Sequence, residues 1–152
     1  MNQNKHRGRA VGAFTAYRIE RVHARLTAQG SAILKAHCDL TLRQWWIIAD
    51  IAEMKPETAT ELSRVADVDK GLLSRNLKTL VNLGYVSMER DSRDHRQQLI
   101  NLTPEGWEIY RSTLPIMNQR NEKLTKNMSG KDVDALLSSL DKIEAAASIL
   151  EP

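Results

Sequence analysis

One cysteine, Cys38, is all that 152 residues provide, so no internal disulfide can form. A chain of this length does not need one, because it can bury a core of its own. Long apolar runs are also missing. The richest patch, Trp45 to Ile48, falls far short of the roughly 18 residues that a membrane span requires. The first ten residues are basic but carry no apolar stretch of the kind found in a secretory signal. The chain therefore reads as cytoplasmic, with no membrane partner. No nucleophile–base pairing and no phosphate-binding glycine loop is present, and the scattered histidines give no convincing metal site. An enzyme, a cofactor and a metal are accordingly not expected. Internal repeats and low-complexity tracts are absent as well.

The charge that is present is unevenly placed. The formal net charge is only +3, yet residues 1–43 hold eight Lys/Arg against the two acids Glu20 and Asp39. Residues 104–152 hold six against eight. The basic end can face a polyanion, or it can be a solvated tail and helix face.

Periodicity lays out the elements. Residues 10–36 read as one long helix, with Val11, Phe14, Ile19, Val22, Leu26 and Ile33 near helical spacing and Gly30 as a soft spot. Thr41 and Gln44 have capping-box spacing and open a second helix that buries Trp45, Ile48, Ile51 and Ala52 and stops at Pro56. Thr58 and Glu61 form another such box for a short helix through Ala66, with Leu62 and Val65 inward. Asp69 caps a fourth helix, whose core face is Leu73, Leu77, Leu80 and Val81 and whose stop is Gly84. The period then shortens. Tyr85–Arg90 and Gln97–Leu102 read as strands, joined by the charged loop 91–96 into a hairpin. Thr103-Pro104 opens another helix, which Pro115 should kink, and Ser129 and Asp132 open the last.

This order predicts a mainly α fold with a small β-hairpin wing: a winged helix-turn-helix flanked by N- and C-terminal dimerisation helices. Residues 1–9 are a flexible basic N-terminus. Residues 10–152 form a single domain, with 10–38 and 104–152 as the dimerisation helices and 41–103 as the winged unit. The outer helices carry more apolar surface than so small a core can cover, so a homodimer with an isologous interface is expected.

With Leu73, Leu77 and Leu80 inward, the helix after Asp69 turns Lys70, Gly71, Ser74, Arg75 and Lys78 outward. In helix-turn-helix proteins the start of the second helix enters the major groove of double-stranded DNA. Arg75 can read guanine with its two-pronged fork, Ser74, Lys70 and Lys78 can hold phosphates or base edges, and Gly71 allows close approach. In the loop, Arg93 can enter a narrow minor groove, Asp91 can orient it, and Arg96 can pair with Asp94 or reach a phosphate.

The run Leu40-Thr41…Gln44-Trp45, Glu61-Leu62, Ser74-Arg75, Leu80…Leu83-Gly84-Tyr85-Val86, Asp91-x-Arg93-Asp94-x-Arg96 and Leu102-Thr103…Gly106 resembles the MarR family of bacterial transcription regulators over about half the chain. The resemblance implies a dimer with two winged domains that binds pseudo-palindromic operators, mostly as a repressor released by small, often aromatic or phenolic ligands. By that resemblance Ser74 and Arg75 fall on recognition-helix positions and Arg93 on the wing-tip arginine. Leu72-Leu73 departs from the family pattern, so the base preference is the chain's own. Ligand pockets in the family lie between the dimerising helices and the winged domain. That makes His23, His37, Trp45 and Trp46 candidate ligand contacts, with Cys38 and Trp107 beside them. The core alternative for the two tryptophans Trp45 and Trp107 is the stronger. A winged-helix protein-interaction module without DNA binding is the alternative function, and retention on random duplex at low salt distinguishes the two.

Overall fold

The computed structural model describes residues 11–66, 68–90 and 98–149. A 3-10 turn, Val11–Ala13, precedes six helices and a hairpin: α1 (Thr15–Lys35), α2 (Leu42–Met54), α3 (Ala59–Val65), α4 (Lys70–Asn82), β1 (Val86–Arg90), β2 (Gln98–Leu102), α5 (Pro104–Thr125) and α6 (Gly130–Ile149). The architecture is the mainly helical one with a two-stranded wing that the periodicity predicts. The chain divides into two compact units, one ending at Thr113 and the other beginning at Leu114, so the boundary falls inside α5. Among the described residues no helix is long and apolar enough to cross a membrane.

In the first unit the core forms where α2, α3, α4 and the hairpin meet. Ile48, Leu62 and Leu80 are sealed from solvent there, each worth roughly 1.5–3 kcal/mol of apolar burial. Local side chains start the helices as expected. Thr41 and Gln44 satisfy each other's backbone N–H groups at 3.2 and 2.9 Å. Asp69 Oδ1 accepts from Leu72 N at 2.9 Å, and Thr103 Oγ1 accepts from Gly106 N at 3.0 Å. Two left-handed residues end helices, Lys55 at φ 48° after α2 and Gly84 at φ 78° after α4.

The hairpin is antiparallel, with Val86 opposite Leu102 and Arg90 opposite Gln98. It is moored to the helix-turn-helix by a bridge between Thr58 and Leu99 and by Ile100 N donating to Glu57 O at 3.0 Å. Gly106 is where α5 passes Tyr85, the residue before β1. A Cβ there would overlap the Tyr85 carbonyl oxygen, so only glycine fits.

Several local expectations need correction. The first helix is not continuous from residue 10. Phe14 takes an extended conformation (ψ 131°) and caps α1, which starts at Thr15. Gly30 is helical and, with Leu34, one of the two buried residues of α1. Thr58 accepts from Glu61 N at 3.2 Å, but Glu61 Oε2 takes Glu57 N at 2.9 Å, so the second box is only half closed. Val65 is 39% exposed, because α3 is too short to bury a second turn. Val81 likewise lies at the edge of the core. Pro115, by contrast, lies inside α5 as expected, and the helix is assigned through to Thr125.

In the second unit, α6 opens on a reciprocal cap in which Asp132 N donates to Ser129 Oγ at 3.2 Å and Ser129 N to Asp132 Oδ2 at 2.8 Å. No described residue of α6 is buried, and Leu136, Leu137, Leu140 and Ile143 form an exposed apolar row along it.

Candidate nucleic-acid interface

Three leucines orient α4. Leu73, Leu77 and Leu80 are buried, which turns Lys70, Gly71, Ser74, Arg75 and Lys78 to solvent on the other side. No carboxylate interrupts the helix from Lys70 to Asn82. The Asp69 cap spends its charge on the first turn, where the helix dipole is positive. The free face is therefore cationic and rich in donors. Asn76 and Thr79 are tied to the helix backbone, Asn76 Nδ2 to Leu72 O at 2.8 Å and Thr79 Oγ1 to Arg75 O at 3.1 Å. A Cβ on Gly71 would lie 3.2 Å from Asp69 Oδ1 and 3.7 Å from Arg75 Nη1, so this glycine keeps open the space between cap and guanidinium.

A cleft of about 450 Å³ lies along this face between α3, α4 and the hairpin. Lys70, Ser74 and Lys78 line it, and so do Thr60, Ser63, Asn82, Met88 and Gln98, which sequence reasoning did not single out. Ser63 Oγ donates to Val68 O at 2.8 Å and thereby sets the turn between α3 and α4. Periodicity places α4's own face but cannot tell which face of α3 turns toward it. The N-terminal polar end of α3 was the available signal. Arg90, exposed where β1 leads into the loop, is a further cation. The wing residues Asp91, Arg93 and Arg96, with Asp94 and His95, lie outside the described residues.

The ligand candidates are spread over α1, the turn that follows it and α2. His23 is exposed on α1, and His37 is exposed with Nδ1 2.9 Å from Ile33 O. Trp45 is 3% exposed, and its Nε1 donates to Thr113 Oγ1 at 2.7 Å, which commits the indole to the core. Trp46 packs edge-on against Trp45 at 4.8 Å and remains 44% exposed. The two tryptophans touch, and none of the four lines the α3–α4 cleft. Burial pushes the Cys38 thiol up, with Asp39 adding and the Leu40 backbone opposing, so the reactive thiolate is disfavoured. Trp107 is half-buried, with Arg111 5.4 Å above its ring. Among the described residues no group of His, Cys, Asp and Glu is placed to hold a metal ion.

Residues 40–106, which span α2 to the start of α5, match the family described as a winged helix DNA-binding domain. The multiple antibiotic resistance protein MarR of Salmonella typhimurium is 32% identical over 106 residues, 69% of this chain and 74% of that protein. The chain belongs to the MarR family. An HTH-type transcriptional regulator of Staphylococcus aureus is 34% identical over 92 residues, and the chain spans only 60% of that relative's length. A cysteine-to-serine mutant of MarR from E. coli, in complex with operator DNA, superposes with a TM-score of 0.77 at 29% identity over 84% of this chain and 91% of that one. In this MarR-family chain α3 and α4 are the helix-turn-helix pair and β1–β2 is the wing, since all four fall within the matched segment.

Proposed function

We propose that this chain is a sequence-specific DNA-binding transcriptional regulator that acts as a homodimer on a pseudo-palindromic operator. The observation that carries the proposal is the carboxylate-free, cationic face of α4 beside the hairpin. In this reading α4 enters the major groove, with Arg75 against a guanine edge and Lys70, Ser74 and Lys78 on phosphates or bases. Arg93 probes the neighbouring minor groove from the wing, oriented by Asp91, and Arg96 supports it. The exposed apolar row of α6 and the exposed Phe14 and Val22 near the chain's start support dimerisation through the outer helices. MarR-family membership supports repression relieved by a small aromatic or phenolic ligand.

The experiment is selection of bound sites from genomic fragments, followed by titration of the selected duplex. Two half-sites about 10 base pairs apart are expected from one helical turn of DNA. Arg75→Ala should weaken binding about 10- to 100-fold and relax preference at one base pair per half-site, while the fold persists because Ala suits a helix. Unchanged affinity in the combined Arg75→Ala, Arg93→Ala protein would remove this assignment of the DNA face.

A further inference from the structure

We propose that the N-terminal half of α1 carries a charge code for its own dimer: Arg18, Val22 and Arg25 seat on Asp141, Leu137 and Asp134 of a second copy. The inference rests on the dimer reading above and goes beyond it, because it states what selects the partner.

The two lines of side chains share one spacing. From Arg18 to Val22 is four residues and from Val22 to Arg25 three; from Asp141 back to Leu137 is four and from Leu137 back to Asp134 three. Steps of three and four keep side chains on one helix face. Two antiparallel helices would thus bring all three pairs together along roughly 10 Å of axis, at about 1.5 Å per residue. Each line is charged, apolar, charged, with opposite signs on the two helices. Both apolar members are open to water in the single chain, Val22 at 49% and Leu137 at 55%.

The charges are also available. Arg18, Arg21, Val22 and Arg25 surround a small surface hollow of about 80 Å³. Arg21 lies over the Tyr17 ring at 5.8 Å, which leaves Arg18 and Arg25 as the outer pair. Among the described residues neither forms an ion pair. Glu20, the one acid of α1, is two residues from Arg18 and five from Arg25, off their face. On α6, Asp132 is held by the Ser129 cap, whereas Asp134 and Asp141 are exposed beside the leucine row. A matched apolar centre on both lines favours a second copy over a polyanion, which would use the arginines and leave Val22 unpaired.

The test uses the full chain, with dimer dissociation followed by sedimentation. An isologous interface contains each pair twice, so reversing two charges per chain inverts four pairs. At a few-fold for each surface pair, Arg18→Glu/Arg25→Glu and Asp134→Arg/Asp141→Arg should each weaken the dimer on the order of 100-fold. An equimolar mixture of the two should restore dimer to within a few-fold of the parent, as the heterodimer. Far-UV circular dichroism checks that the exposed substitutions leave the helices intact, and Arg18→Gln/Arg25→Gln provides a milder variant if they do not. A parent chain that is monomeric removes the dimer reading itself. A dimeric parent that the reversals leave unchanged, or a mixture that does not recover, overturns only the charge code. Loss of DNA affinity with the dimer intact also overturns it and assigns the stripe to DNA.

Discussion

Tyr110 shows how one side chain links the helix behind the wing to the helix before the helix-turn-helix. Its hydroxyl donates to Glu53 Oε1 at 2.5 Å across a separation of 57 residues. Burial pushes its pKa up to about 12, and the Glu53 carboxylate adds to the shift. The folded value therefore lies above the unfolded one, near 10, so the neutral phenol stabilises the fold fully below about pH 10 and progressively less as pH rises toward 12. Urea titrations across that window should show the parent losing more stability than Tyr110→Phe. At neutral pH the variant should be less stable by roughly 1–2 kcal/mol, since Glu53 is exposed and rehydrates once the bond is gone. Gly106 gives a harsher test. The Tyr85 carbonyl occupies the place of its Cβ, and that carbonyl already accepts from Thr103 N at 3.1 Å. Gly106→Ala must therefore push α5 away from the Tyr85 backbone, and a loss of about 1–3 kcal/mol is expected in the same titration.

At the scale of elements, α3 depends on one residue. Thr58 caps it at 3.2 Å and also bridges to Leu99 of β2, so the same position starts the helix and moors the wing. Thr58→Ala should cost about 1 kcal/mol in equilibrium unfolding. Glu61→Ala should cost less, because Glu61 bonds the exposed Glu57 N–H and not the cap's own. A larger loss for Glu61→Ala would mean that the reciprocal box is the state in solution. This contrast also marks what the sequence discloses. Caps act over three residues, so Thr41, Asp69, Thr103 and Ser129 were legible, as was the solvent face of α4 from the spacing of its leucines. What local spacing does not disclose depends on distant partners. Gly106 owes its necessity to Tyr85, and Trp45 its satisfied indole to Thr113, 68 residues away. The contributions of Thr60, Ser63 and Gln98 to the cleft have the same cause: each reaches it through packing between elements that no local period reports.

For the whole molecule, the question is whether two α4 faces act as one unit on DNA. Salt answers it. Each cation that neutralises a phosphate releases a counterion, so log K falls against log salt with a slope of about −0.9 per contact. Lys78 is exposed on α4, beyond Arg75 from the N-terminal turn, where an ammonium meets backbone phosphate more readily than a base edge. Lys78→Ala should lower affinity nearly uniformly across operator variants. In a symmetric dimer one substitution removes two phosphate contacts, so the magnitude of the slope should drop by about 1.8, against about 0.9 for a single engaged protomer. Fluorescence titrations of one operator duplex across a salt series give the number directly. A drop near 0.9, from a protein that sediments as a dimer, would mean that only one wing unit grips its half-site. The α4 face would survive that outcome, but the two-fold operator would not, because an isologous dimer must present both recognition helices alike to a palindrome.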